Sequence, residues 1–208
     1  MTVAYPLDLL ADFPGWSTKF EPLYRQEQSR TSGGVTYIKD LGSPLWSAAY
    51  QSRQLKPNEL DAWRARIEAL EGGLQYFRGY ALSRTRPIAY PSGKAMPESG
   101  VALSAIGGDN KSVTISGLGA GYVVSLGDMI QISGSGLYRV VEPVVANAAG
   151  IAGPFEVRPH LWPGTAAGAA ITLIRPSCTM MIVPGSISSE ADASSGRGSL
   201  SFQAIEVR

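Results

Sequence analysis

The first residues to ask for chemistry are the glycines of Ser133-Gly134-Ser135-Gly136, inside the stretch SLGDMIQISGSGLYRVV at 125–141. A glycine loop that cradles phosphate needs backbone N–H groups aimed at the anion and a helix N-terminus behind them. Here the glycines lead into LYRVVEPVV, β-branched and interrupted by proline. That context predicts a hairpin, in which glycine supplies the positive φ of a tight turn. His160 is the only histidine, which excludes sites built on two imidazole ligands and leaves one imidazole for any triad. Within VRPHLWPG it is expected at a strand end beside Trp162. No G-x-S-x-G elbow frames a serine. The single cysteine, Cys178 in RPSCTMMIV, sits in an apolar, strand-like context where a buried thiol is chemically quiet.

Carboxylates that could act as acid and base occur at Asp8 and Asp12, at Asp109 and Asp128, and at Glu190 and Asp192. Paired acids are the requirement of glycoside hydrolysis, yet acids on loops are ordinarily solvated. No catalytic, cofactor-binding or metal-ligating residue is therefore assigned, and no cofactor is expected. Trp16, Trp46, Trp63 and Trp162 have faces able to stack on sugar rings, but buried tryptophan is the commoner case. Tyr122, Tyr138 and Trp162 are the candidate glycan contacts, and they define the alternative function, a carbohydrate-binding module for cell-surface glycan.

The chain of 208 residues carries 18 Lys and Arg against 17 Asp and Glu, a formal net charge of +1, with neither sign clustered. The field that drives nucleic-acid or anionic-membrane binding is missing, so no nucleic-acid partner is expected. Charged residues make up 17%, where soluble domains average about 25%. A surface so poor in charge suits either a small-residue-rich β protein whose exposed face is Ser, Thr and Gly or a subunit covered by neighbours. One cysteine permits no intrachain disulfide, which fits assembly in a reducing cytoplasm. The opening MTVAYPLDLLADF lacks a basic segment ahead of a long apolar one, which argues against a signal peptide. Uncharged runs such as HLWPGTAAGAAITLI are broken by Gly and Pro and fall short of a membrane span.

One segment reads firmly as helix. In KPNELDAWRARIEALEGG, residues 56–73, Leu60, Trp63, Ile67 and Leu70 form one stripe, a packing face. Asn58 is the expected N-cap, Gly72-Gly73 the stop, and Arg64 is expected to pair with Glu68. Around it, GGVTYIKDL, PLWSAAYQS and LQYFRGYAL read as strands. The N-terminal AYPLDLLADFPGWSTKFEPLYRQ holds Pro6, Pro14 and Pro22 among large apolar residues. It is expected to be irregular and to lie against its own core or a neighbour. Composition shifts near AYPSGKAMPESG and again near IRPSC; between them five or six short strands predict a small closed or half-closed barrel. TMMIVPG and GSLSFQAIEVR are expected to rejoin the first sheet, which makes the middle unit an insertion.

The order SPLWSAAYQSRQLKPNELDAWRARIEALEGGLQYFRGY, then the inserted LGDMIQISGSGLYRVVEPVVANAAGIAGPFEVRPHLWPG, then SFQAIEVR resembles structural tail proteins of long-tailed, siphovirus-like bacteriophages, the distal tail and minor tail proteins. The Trp46, helix and Gly72-Gly73 portion looks like the tail-tube-type fold. The segment around Gly127-Asp128, Tyr138-Arg139-Val140 and Val157-Arg158-Pro159 looks like the small barrel that several such proteins carry. The resemblance implies a non-enzymatic ring subunit, commonly hexameric, that joins the tail tube to the tip or baseplate, located in the virion tail and assembled in the host cytoplasm. Its partners would be copies of itself and other tail proteins.

The resulting expectation is a mainly β fold. A tail-tube-like β-sandwich core of residues 1–92 and 176–208, with one flanking α-helix near 58–71, carries a small β-barrel inserted at 93–175. Edge strands of neighbouring cores are expected to pair around the ring. Phe13, Trp16 and Phe20 form the candidate inter-subunit arm.

Overall fold

The computed structural model describes residues 3–94, 96–97 and 100–208; Ala95, Glu98 and Ser99 of the expected linker lie outside the described residues. The fold is mainly β, with 41% of residues in strands and 7% helical. In chain order the strands are β1 (Gly15–Leu23), β2 (Gln26–Arg30), β3 (Thr36–Asp40) and β4 (Leu45–Ser52), followed by helix α1 (Pro57–Glu68). Then come β5 (Phe77–Gly79), β6 (Ala102–Ile106), β7 (Ser112–Ser116), β8 (Val123–Val124), β9 (Met129–Ile132), β10 (Gly136–Val140) and β11 (Val144–Val145). The last five are β12 (Ala152–Arg158), β13 (Ile171–Thr172), β14 (Cys178–Ile182), β15 (Ser188–Ala191) and β16 (Gly198–Glu206).

The chain forms two compact units, 1–23 with 45–83 and 177–208, and 24–44 with 84–176. The divisions fall at 83/84 and 176/177, beside the expected 92/93 and 175/176, and residues 24–44 group with the second unit.

The first unit is an antiparallel sheet in the order β1-β4-β16-β14-β5, with β15 also paired to β16. TMMIVPG and GSLSFQAIEVR thus rejoin the sheet begun before residue 90. Side chains alternate between faces along each strand. One face buries Trp46, Ala48 and Tyr50 of β4, Leu200, Phe202 and Ala204 of β16, and Cys178, Met180 and Ile182 of β14. Helix α1 turns Leu60, Trp63 and Ile67 inward and packs against β16 and β15.

The N-cap lies two residues earlier than the sequence suggested. Lys56, not Asn58, is the N-cap, with φ −75° and ψ 159°, because the residue before a proline is driven to extended backbone and Pro57 is preset for the first helical position. Glu59 then accepts the Lys56 N–H at 3.0 Å. The helix ends at Glu68 with Ala69 as its C-cap, short of the expected stop; Gly72 and Gly73, at φ of 66° and 116°, lie in the separate 3-10 turn Glu71–Gly73 that follows. Arg64 pairs with Asp61 at 3.1 Å and donates to Ser189 Oγ and the Ser189 carbonyl at 2.7 and 2.6 Å, in place of the expected Glu68. A bond to β15 ties the helix to the sheet, which an exposed pair along the helix cannot do.

The second unit holds a six-stranded sheet in the order β13-β9-β10-β12-β7-β6. It is nearly closed into a barrel. Backbone bonds from Leu103 N–H to Ala169 O (2.9 Å), Gly168 N–H to Leu103 O (2.7 Å) and Ile171 N–H to Val101 O (2.9 Å) join its ends. Val113, Ile115, Ile130, Ile132, Val140, Phe155 and Val157 fill the interior, as period-two strands demand of a small barrel. The segment at Ile88 and Tyr90, where the linker expected at 89–100 begins, is docked on this unit. Ile88 N–H donates to Asp128 at 2.7 Å, the Tyr90 hydroxyl accepts the Val123 N–H at 2.9 Å, and the Tyr90 ring stacks on Tyr122 with centroids 4.4 Å apart.

Candidate functional site

The Ser-Gly-Ser-Gly stretch is a hairpin turn between β9 and β10, with Gly136 opposite Ile132. Ser135 N–H closes it onto Ile132 O at 3.0 Å, and Gly134 sits at φ 71°. A strand follows, so its N–H groups serve the ladder and are not gathered around an anion. The Ser135 hydroxyl lies 2.6 Å from the Tyr138 hydroxyl, which accepts the Trp162 N–H at 3.1 Å. These bonds fix the loop after β12.

Two of the three candidate glycan contacts belong to the barrel core. Tyr122 and Tyr138 are 3% and 0% exposed, so neither ring face is offered to a ligand. The sequence suggested otherwise because alternation marks which residues share a face, while closure of the barrel decides which face is inside. Trp162 remains partly exposed. His160 is exposed at the end of β12.

Three of the six candidate acids, Asp109, Asp128 and Asp192, are held by bonds to nearby donors. Asp109 accepts the N–H groups of Lys111 and Ser112 at 3.0 and 3.1 Å and the Ser112 hydroxyl at 3.0 Å. These bonds hold its carboxyl at about 2. Asp192 is held at about 2 in the same way by Ser194 and Ser195. Asp128 is buried and accepts two backbone N–H groups, Ile88 at 2.7 Å and Ser125 at 2.8 Å. Burial raises its pKa, and those bonds with the Arg84 charge oppose the rise. It is a clamp on the docked segment. Burial pushes the Cys178 thiol well above its ordinary range, and the Glu206 carboxylate adds to that. Such a thiol does not ionise to a nucleophile. Among the described residues, no three His, Cys, Asp or Glu side chains converge to hold a metal ion, and no helix is long and apolar enough to cross a membrane.

The candidate arm divides. Phe13 is 8% exposed and meets Trp63, Phe202 and Tyr50 edge-on at 5.3, 5.8 and 6.4 Å. Leu9 and Leu10 are buried with it. The segment before β1 is therefore a strap of its own core and not an arm: three apolar side chains gain more from the sheet face than from water. Phe20, half-buried, stacks on Trp46 at 5.1 Å. Trp16 is 80% exposed. From Gly15 on, the proline-rich segment is a nine-residue edge strand, regular where an irregular chain was expected. Pro22, opposite Trp46, is tolerated because an edge strand lacks a partner on one side.

One pairing was only half legible in the sequence. β2 and β3 form a two-stranded ribbon, Gln26 opposite Asp40 through Arg30 opposite Thr36, and all ten residues are exposed. Tyr24, Val35, Tyr37, Ile38 and Leu41 stand in water on or beside it. GGVTYIKDL was read as a strand, but its partner QEQSR has no apolar residue and hence no period. The Thr-Ser-Gly-Gly between them was the available signal.

Comparison of the sequence with protein-family models and with characterised proteins returns no match.

Proposed function

We propose that the chain is a structural subunit of a phage tail, one copy in a ring, sixfold in the commonest form, at the distal end of the tail tube, where it links tube to tip or baseplate. The work is assembly, without bond-making. The observation that carries this is β1. It is the outer strand of its sheet, nine residues long, with Trp16 and Leu23 exposed at its two ends. A long edge strand with bare apolar residues is a surface that other chains complete. The low charge noted above favours the same reading.

The pairing is narrower than a sheet continued from copy to copy through both edges. The opposite edge strand, β5, has three residues, and Leu7 already bridges it in parallel, with Leu7 N–H on Tyr76 O and Arg78 N–H on Leu7 O, both at 2.9 Å. A neighbour joins at β1, and what it presents there is something other than β5.

Electron microscopy of the purified chain, alone and mixed with tail components, tests the proposal. A ring with a central hole is expected. A monomer that stays a monomer and joins no tail component would refute it.

A further inference from the structure

We infer that the face of the first unit's sheet turned away from its core carries a binding site for a single neutral sugar unit. The strand register builds it. Ser17, Gln51 and Ser201 stand abreast on β1, β4 and β16, and Lys19, Ala49 and Gln203 stand abreast two residues along. Residues directly opposite, and residues two apart in a strand, share a face; this face is the one opposite the buried side chains of Tyr50 and Phe202. The methyl of Ala49 is thus the low point in a grid of longer side chains. Lys19 and Gln203 flank it from the two neighbouring strands, about 9–10 Å apart, and Gln51 rises beside it. The result is a depression of about 190 Å³. Pockets for drug-sized molecules run to about 300–1,000 Å³, so one ring fits here and a larger ligand does not.

The chemistry of the rim selects the ligand. Among the described residues, the side chains of Ser17, Gln51, Ser201 and Gln203 make no hydrogen bond. Ser186 beside them differs: its hydroxyl donates to Val183 O at 2.7 Å and accepts the Gln203 N–H at 3.1 Å. Each free amide offers a donor and an acceptor side by side, and each free hydroxyl does both. A sugar ring carries adjacent hydroxyls that also donate and accept, so it meets both functions of every rim group. A carboxylate or phosphate ion only accepts and would leave the amide carbonyls unmatched. Charge points the same way. Among the described residues lining the depression, Lys19 alone is charged, and Glu21 Oε1 lies 2.6 Å from its Nζ, so an anion meets no net charge there. With one methyl for a floor, an apolar ligand gains little burial.

The ladder holds the site in shape. β4 lies between β1 and β16, so Ala49 and Gln51 are braced on both sides, and beneath them Tyr50 packs on Phe202 with ring centroids 5.3 Å apart. A site carried on strands is preorganised and loses little entropy on binding. Open to water above, it holds a sugar with a dissociation constant on the order of 1 mM. The site uses the face of the sheet and leaves the outer edge of β1 free. A neighbour at that edge and a sugar on the face therefore do not exclude one another.

The test uses the full chain and saturation-transfer NMR, which reads the sugar and serves a single copy and a ring alike. The probes are methyl β-glucoside, methyl β-galactoside and methyl β-N-acetylglucosaminide, with methyl β-glucuronide as the anionic arm. The expected result is saturable transfer to at least one neutral sugar. Its affinity should fall at least tenfold in Gln51→Ala with Gln203→Ala, and as far in Ala49→Leu, which fills the floor. The two glutamines are exposed, so the double variant keeps its melting temperature and decides the matter even where Ala49→Leu fails to fold. No transfer to any neutral sugar overturns the site, as does binding that the double variant leaves intact. Glucuronide bound tenfold more tightly than every neutral sugar overturns the neutral ligand. Each of these results leaves the ring proposal standing, because assembly is read separately.

Discussion

Phe13→Ala separates a core strap from an outward arm, because the two give opposite results. In the structure the ring is 8% exposed and wedged among Trp63, Phe202 and Tyr50. Removing it forfeits about 2–3 kcal/mol of burial, and the void brings the loss to about 3–4 kcal/mol, the lower part of the range for such truncations because an N-terminal segment can settle inward. Urea unfolding followed by tryptophan fluorescence reads this unit, since Trp46 and Trp63 are buried in it. With a slope of about 2 kcal/mol/M, the midpoint falls by about 1.5–2 M. Trp16→Ala, three residues on and 80% exposed, should shift stability by no more than about 0.5 kcal/mol. A Phe13→Ala midpoint as small in its shift as that of Trp16→Ala, with assembly lost instead, would show that the ring faces a neighbour. For the same reason, deleting residues 1–20 removes part of the core and is no clean test of assembly.

Asp128 makes a prediction about pH. Its pKa is raised in the fold, so the native state favours the neutral acid: the stability it contributes is fully present below the unfolded value near 3.9 and is lost as pH rises through the folded value. Relative to Asp128→Asn, which does not titrate, the wild type should gain stability as pH falls from 7 to 4; equal differences at both pH values in chemical unfolding would contradict this. Asp128→Ala, which orphans the Ile88 and Ser125 N–H groups, should cost about 1–3 kcal/mol and speed hydrogen exchange at Ile88. Gly150→Ala should destabilise the barrel unit by more than about 2 kcal/mol. Its Cβ would meet Leu118 O at 2.0 Å with φ held at 71°, and an unchanged melting temperature would refute the contact.

Much of the fold lay in the sequence. The stripe Leu60, Trp63 and Ile67 marks the helix, Gly134 a turn, and alternation in SVTISGL and GSLSFQAIEVR the strands. All are local consequences of periods near 3.6 and 2 and of glycine's freedom at positive φ. The absence of paired histidines or a nucleophile motif was equally legible. What only the tertiary structure decided is which surface each side chain meets. Phe13 and Trp16 are three residues apart in one apolar segment, yet one is inside and the other in water. Tyr122 and Tyr138 are buried because the barrel closes over them, and the Gln26–Arg30 strand exists because Thr36–Asp40 pairs with it. Periodicity assigns faces; long-range pairing, set by residues far away in sequence, decides which face is covered.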